Sequence, residues 1–289
     1  MRIAIHDILW LDQPGCDDPA RVGGKAANLA RLAARCPVPP GFALTAEAHL
    51  RSAGDSLPDD LARAVADAYA TLGARCGAPD PAVAVRSSAV DEDGASASFA
   101  GIFASYLNVR GLDEVLAAIV RCWRSAADPR VVAYRRERGG DSLGVGVLVQ
   151  ALVAADTAAV VFSVNPTSGA ADELVINANW GLGESIVGGL ATPDTWILRR
   201  PALSTIRFRL GDKTQMTVRA DGGTHEVPVL RTLRARACLS DAQVHELGGL
   251  ALRLEDAMGW PVDLECAYEG GRLYLLQCRP ITALRRPGP

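Results

Sequence analysis

Lysine is almost missing from this chain: of its 30 basic residues only Lys25 and Lys213 are lysine. Aromatic residues make up only 5% of the 289 positions. No apolar run approaches the roughly 20 residues that a bilayer span requires, and the N-terminus has no cleavable signal pattern, so a membrane partner is not expected. A basic field is lacking too. The formal net charge is -3 and the pI about 5.8, which argues against nucleic acid as a partner. The densest basic cluster, Arg135, Arg136 and Arg138, is interrupted by Glu137 and suits a solvated helix face. Cys16, Cys36, Cys76, Cys122, Cys238, Cys266 and Cys278 are odd in number and show no C-x-x-C spacing. That pattern suits a reducing compartment, and the expected location is the cytoplasm. His6, His49, His225 and His245 are isolated, with neither metal spacing nor a neighbouring nucleophile signature, and none is assigned catalysis.

What is present suffices for a core. With 49% hydrophobic and 22% charged residues, the chain suits one large domain or two packed subdomains. The helical period predicts helices over 26–35, 59–76, 113–125 and 241–258, the last capped by Ser240 or Asp241 and ended by Gly259. Strands are predicted over 82–86, 145–152, 158–162, 173–177 and 195–198. The short polar link Ala155-Asp156-Thr157 suggests that the second and third of these strands form an antiparallel hairpin. The mixture reads as an α+β fold.

The segment VDLECAYEGGRLYLLQCRPIT, residues 262–282, carries the most chemistry. As a hairpin it sets Asp263 and Glu265 on one face and Leu264, Cys266 and Tyr268 on the other, because alternate strand residues point opposite ways. A two-residue turn at Gly270-Gly271 would oppose Glu265 to Leu276 and Asp263 to Cys278, mixing charge with apolar groups. A three-residue loop instead pairs Glu265 with Gln277, Asp263 with Arg279, and Leu264, Cys266 and Tyr268 with Cys278, Leu276 and Tyr274. The polar face would then offer two carboxylates, an amide oxygen and a guanidinium. Such a set can hold a hard cation and the phosphate it bridges. A solvated outer face with one surface ion pair is the other outcome of the same pattern.

Four further places invite a phosphate or a nucleotide. Lys25 follows Gly23-Gly24 at an expected helix start, where backbone N–H groups and an ammonium can face an anion, although a surface lysine can also survive there by chance. Arg86 ends an apolar strand ahead of a Ser/Gly/Ala-rich loop; it suits a phosphate contact or a pairing with Asp91, Glu92 or Asp93. Ser98-Phe99-Ala100-Gly101 supplies small residues of the kind that cap phosphates. In NANWGLGESIVGG, Glu184 either accepts from ribose hydroxyls or merely starts a helix. Lys213, in Gly211-Asp212-Lys213, reads as a turn lysine.

The segments GGKAANLARL, VPPGFALTAEAH, VAVRSSAVDEDGASASFAG, YLNV, VNPTSG, INANWGLGESIVGG, ATPDTW, CLSDAQVHEL and DLECAYEGGRLYLLQCRPIT occur in one order. Over about residues 23–282 the chain resembles the ATP-binding domain of the phosphoenolpyruvate synthase, pyruvate phosphate dikinase and rifampin phosphotransferase family. The resemblance implies an ATP-grasp fold with the nucleotide between two subdomains, here 1–172 and 173–282, followed by a tail over 283–289. It implies that Lys25 and Arg86 hold ATP phosphates, that Glu265 and Gln277 bind Mg2+, and that Asp263 and Arg279 complete the transfer site. Ala151 and Val153 would read the adenine edge, Leu152 would pack on the base, and Gly101 would lie in the phosphate loop. In place of the family's frequent AGQ followed by an acidic residue and threonine, Gly101 is here followed by Ile102, Phe103, Ala104 and Ser105.

In that family a histidine on a separate swivelling domain takes the phosphoryl group. The chain shows no histidine in the expected Gly-Gly-x-x-Ser-His context, so the acceptor is expected to be a separate phosphohistidine-domain protein. A kinase acting directly on a small molecule, or an ATP-sensing module without turnover, are the alternatives.

Overall fold

A computed structural model describes residues 7–52, 56–89, 104–126, 128 and 144–282. The chain divides into two units, Met1–Leu152 and Val153–Pro289. The first holds β1 (Ile8–Trp10), α1 (Pro19–Leu32), β2 (Gly41–Leu44), α2 (Ala46–Arg51), α3 (Asp59–Cys76), β3 (Val83–Ser88), β4 (Ser105–Val109), α4 (Leu112–Ser125) and β5 (Gly146–Ala151). The second holds β6 (Thr157–Phe162), β7 (Glu173–Trp180), α5 (Glu184–Val187), β8 (Asp194–Arg199), β9 (Ser204–Arg209), β10 (Gln215–Ala220), β11 (Gly223–Pro228), α6 (Arg231–Arg234), α7 (Asp241–Met258), β12 (Val262–Glu269) and β13 (Arg272–Pro280). The class is α+β, as the sequence indicates.

In the first unit, five antiparallel strands run in the order β1-β2-β5-β3-β4. Strand alternation turns Phe42, Leu44, Val83, Val85, Val147 and Val149 to one face, where they join Leu61, Val65 and Leu72 of α3 and Val115 and Ile119 of α4 in one buried cluster. Those helical residues stand four or seven positions apart, one or two helical turns, and the predicted bounds of α3 coincide with the observed ones. Ala43, Ala84 and Leu148 have the opposite parity, and α1 packs against β2, β3 and β5.

The second unit is a six-stranded antiparallel sheet in the order β13-β12-β6-β7-β8-β9, with β10 and β11 as a separate ribbon. α7 packs against β12, β6 and β7. It starts in a capping box, Ser240 with Gln243, and stops at Gly259 in the left-handed region, matching the signals read from the sequence.

One predicted pairing is corrected. β5 and β6 are not a hairpin: β5 lies between β2 and β3, and β6 lies between β12 and β7. Both strands are apolar enough to be buried on either side, so their adjacency in sequence did not determine their partners. The unit boundary accordingly falls at Leu152/Val153, ahead of the expected 172/173, because β6 contributes its whole length to the second sheet.

Lys213, read as a turn lysine, is a buried one. It is fully buried against an equally buried Asp194, with Nζ 2.5 Å from Oδ1 and a further bond of 3.1 Å to the Gly211 carbonyl. Asp194 in addition accepts the backbone N–H groups of Gly211 and Cys238 at 2.7 and 2.9 Å. The pair thus pins the 211–213 turn and the segment before α7 to the start of β8. Lys213→Met is expected to lower stability by about 3–5 kcal/mol, because it strands a buried carboxylate. Adding Asp194→Asn should recover part of the loss, as read from chemical denaturation of both variants.

Candidate functional site

The β12–β13 hairpin has a two-residue turn after all. Glu269 opposes Arg272 across Gly270 and Gly271, whose φ angles of +56° and +79° suit the tight turn that matches strand twist. Uninterrupted, that turn would impose the poor register described above. A bulge between Glu265 and Cys266 corrects it: Cys266 opposes Leu275, Leu276 is the extra residue, and Glu265 opposes Gln277. Asp263–Arg279 and Leu264–Cys278 follow in the same corrected register.

The bulge also changes which leucines are inside. Leu273 and Leu275, which an unbroken alternation would set on the face of Gln277, are buried opposite Tyr268 and Cys266, while Tyr274 and Leu276 are only half-buried. An extra residue switches the facing of everything on one side of it, so both ends of β13 satisfy the core without sharing one alternation.

On the polar face Arg279 Nε donates to Asp263 Oδ2 at 2.8 Å. Asp263 is 5% exposed and Gln277 3%. Burial pushes the Asp263 carboxyl up to about 6; the Arg279 guanidinium pulls against that rise and the Glu265 charge adds to it. Asp263 Oδ1 and Gln277 Oε1 are buried and accept no hydrogen bond among the described residues. Two orphaned acceptors beside the half-buried Glu265 form a set of hard oxygen donors. A divalent cation such as Mg2+ fits that chemistry, with the remaining coordination left to water and phosphate oxygens. Among the described residues no group of three or more His, Cys, Asp or Glu could hold a metal by itself.

In the first unit, β3 and α1 bring Lys25 beside the strand that carries Arg86. Gly23 interrupts α1 with φ +79°, and an added Cβ there would lie 1.9 Å from the Ser88 carbonyl oxygen. This close approach lets Gly24 N–H donate to Ala89 O at 3.0 Å and Ala26 N–H to Ser88 Oγ at 3.2 Å. Those two N–H groups, expected to be open to an anion, are therefore spent on the end of β3. The side chain of Lys25, 7% exposed, reaches the Ser87 carbonyl at 3.1 Å. Arg86 is partly exposed on the adjacent strand position.

The segment expected to read adenine is where the chain passes from one unit to the other. Ala151 N–H already donates to Pro40 O and Leu152 N–H to Ala82 O, both at 2.9 Å, while Val153 is buried. Glu184 opens the short α5, preceded by Gly183 without a side-chain cap, and its Oε2 is buried with no partner among the described residues. Gly101, with the rest of 90–103, lies outside the described residues. Among the polar groups that escaped the sequence reading, the hydroxyl of Thr217 on β10 is buried and likewise unpartnered among the described residues. A lone threonine in a polar strand gives no signal that could have found it.

Residues 52–288 match the family model described as "Pyruvate phosphate dikinase, AMP/ATP-binding domain". The chain belongs to this family. Among curated relatives, the "Probable phosphoenolpyruvate synthase" of Methanocaldococcus jannaschii is 37% identical over 319 residues, covering 96% of this chain and 27% of the relative. The protein of the same description from Methanothermobacter thermautotrophicus is 35% identical, covering 96% of this chain and 46% of the relative. The "Uncharacterized phosphotransferase YvkC" of Bacillus subtilis is 39% identical over 204 residues, 70% of this chain and 24% of the relative. The chain thus spans between about a quarter and a half of the length of these relatives. Among solved structures, a D-alanine-D-alanine ligase from Coxiella burnetii aligns over 89% of this chain and 47% of its own, at 10% identity and a TM-score of 0.37, a likeness too weak to carry an argument. No helix among the described residues is long and apolar enough to cross a membrane.

The close approach at Gly23 can be tested against a glycine with the same backbone sign but free space. Gly23→Ala is expected to lower stability by roughly 2–4 kcal/mol through collision with Ser88. Gly77→Ala, at φ +66° with nothing within 4 Å of the added carbon, should cost only about 1 kcal/mol. Urea denaturation of the two variants decides it; equal losses would show that backbone sign alone matters.

Proposed function

We propose that this chain is the ATP-binding half of a dikinase-type phosphotransferase of ATP-grasp architecture, cleaving Mg2+-bound ATP and passing a phosphoryl group to a histidine on a separate partner protein. The observation that carries the reading is the pair of buried, unpartnered acceptors, Asp263 Oδ1 and Gln277 Oε1, on the same hairpin face as Glu265 and Arg279. Natural interiors rarely leave such atoms unsatisfied unless a ligand or ion completes them.

In this reading Glu265 and Gln277 hold Mg2+, which would neutralise charge on the bridged phosphate oxygens when bound. Arg279 acts on the transferring phosphoryl group, with Asp263 holding its guanidinium in place through the 2.8 Å bond. In the first unit, Lys25 and Arg86 supply positive charge for ATP phosphates, Lys25 as a point charge and Arg86 as a fork. The work asked of these side chains is positioning and charge stabilisation, since phosphoryl transfer needs little covalent participation from the protein. The attacking imidazole comes from the partner. In the adenine segment Val153 supplies the base-edge donor, because the N–H groups of Ala151 and Leu152 are engaged within their own unit. Glu184 accepts from ribose hydroxyls. Cytoplasmic work suits the reduced cysteines, since all seven are free thiols.

Glu265→Gln and Arg279→Ala should each slow turnover of labelled ATP by about 10²–10³-fold. Mn2+ binding followed by electron paramagnetic resonance should weaken in Glu265→Gln and persist in Arg279→Ala. The assay supplies a phosphohistidine-domain protein encoded nearby and asks whether it takes the label. Label on a small molecule with no labelled protein replaces the partner by a direct acceptor; tight ATP binding with no turnover under either condition sinks the enzymatic reading.

A further inference from the structure

The sheet of the second unit ends on a strand with an open edge. β9 is last in the strand order, pairs only with β8 among the described residues, and has all six of its residues exposed. Backbone N–H and C=O groups on its far side therefore have no neighbouring strand to pair with. Its side chains sort by face. Trp196 opposes Phe208, Ile197 opposes Arg207 and Thr195 opposes Arg209, so Phe208 stands on one face of the sheet and the two arginines on the other. A bulge that leaves Ile206 as the extra residue returns Thr205 to the face of Phe208.

Each face has its own chemistry. On the first, the Phe208 and Trp196 rings lie 4.9 Å apart and line a cavity of about 340 Å³ with Thr205, Leu239, Val244 and His245. Rings beside a hydroxyl and an imidazole suit a side chain with an apolar body and a polar tip, such as tyrosine. Ile206, Phe208 and Leu210 are each 44–45% exposed, which leaves apolar surface in water along this one edge. On the second face, neither Arg207 nor Arg209 forms an ion pair among the described residues. The charge is concentrated locally: residues 199–236 hold nine basic side chains against three acidic ones, Asp212, Asp221 and Glu226, in a chain whose formal net charge is -3. The whole-chain charge conceals this basic segment.

We propose that the open edge of β9 binds an extended segment of a partner protein in which acidic residues alternate with apolar or aromatic ones, adding it to the sheet as a seventh strand. One set of alternate side chains in such a segment lies beside Arg207 and Arg209 and the other beside Phe208, while its backbone closes the edge. Carboxylates and rings are thus matched at the same time. A second copy of this chain fits poorly, because pairing β9 with itself brings arginine beside arginine. Nucleic acid would engage the arginines and leave the backbone edge and the Phe208 cavity unused. The inference stands apart from the ATP-binding reading and survives its failure.

Fluorescence anisotropy with three labelled probes tests it: a short synthetic peptide alternating glutamate with valine around a central tyrosine, the same peptide with lysine at every glutamate, and a single-stranded oligothymidine of similar length. The unaltered chain should bind the glutamate peptide about tenfold or more tightly than the lysine peptide. Arg207→Glu combined with Arg209→Glu should reverse that order, a gain that a misfolded variant could not produce. Two further versions of the glutamate peptide carry N-methyl groups on one or the other alternate set of backbone nitrogens. One should lose binding by about tenfold or more and the other retain it, since an added strand turns only one set towards its neighbour. Equal binding of the two charge forms, no binding of either peptide up to about 1 mM, or equal effects of the two methylated versions overturns the inference. Oligothymidine that binds more tightly than the glutamate peptide, and is lost in the charge-reversed chain, also overturns it and assigns the edge to nucleic acid.

Discussion

The candidate site depends on one irregularity, the extra residue at Leu276. A sheet strand offers a single alternation, and β13 has to serve two demands that a single alternation cannot meet. Near the turn, Leu273 and Leu275 must enter the core; near the other end, Gln277 and Arg279 must stand beside Glu265 and Asp263. The bulge changes parity between these two stretches. It allows a tight glycine turn, a filled core and a polar face in one hairpin, and it explains why that face is crowded with groups whose bonding within the protein is incomplete.

Incomplete bonding is the common thread between the two parts of the second unit that matter. At the hairpin, Asp263 Oδ1 and Gln277 Oε1 lack partners among the described residues; so do Glu184 Oε2 at the start of α5 and the Thr217 hydroxyl on β10. Asp263 illustrates the tension: burial drives its carboxyl towards the protonated form, while Arg279 draws it back towards the charged one. Asp194 and Lys213 show the contrasting case, a buried pair whose bonding is complete within the protein, which suits a fastening and leaves nothing to offer a ligand.

In the first unit a different device prevails. Gly23 permits α1 to touch the end of β3, and that contact consumes N–H groups that a phosphate could otherwise have used. In the reading proposed above, side-chain charge from Lys25 and Arg86 takes the part that the helix terminus cannot. Family membership does not specify these roles, because a shared fold and a shared site are separate facts.

The sequence by itself determined the spans of α3, α4 and α7, the existence of most strands, and the pairing of Glu265 with Gln277 and Asp263 with Arg279. These follow from local periodicity, caps and the cost of opposing charge to apolar groups, all of which act over a few residues. It did not reveal that β5 and β6 part company, that Lys213 is buried, that Leu273 and Leu275 turn inward, or that the Thr217 hydroxyl is buried without a partner among the described residues. Each of those depends on which distant segment covers a given side chain: apolar strands accept many partners, a buried lysine needs the particular aspartate that meets it, and a hydroxyl is left unpartnered only by the arrangement around it. Tertiary structure decided them because burial is a property of the surroundings and is written in no single stretch of chain.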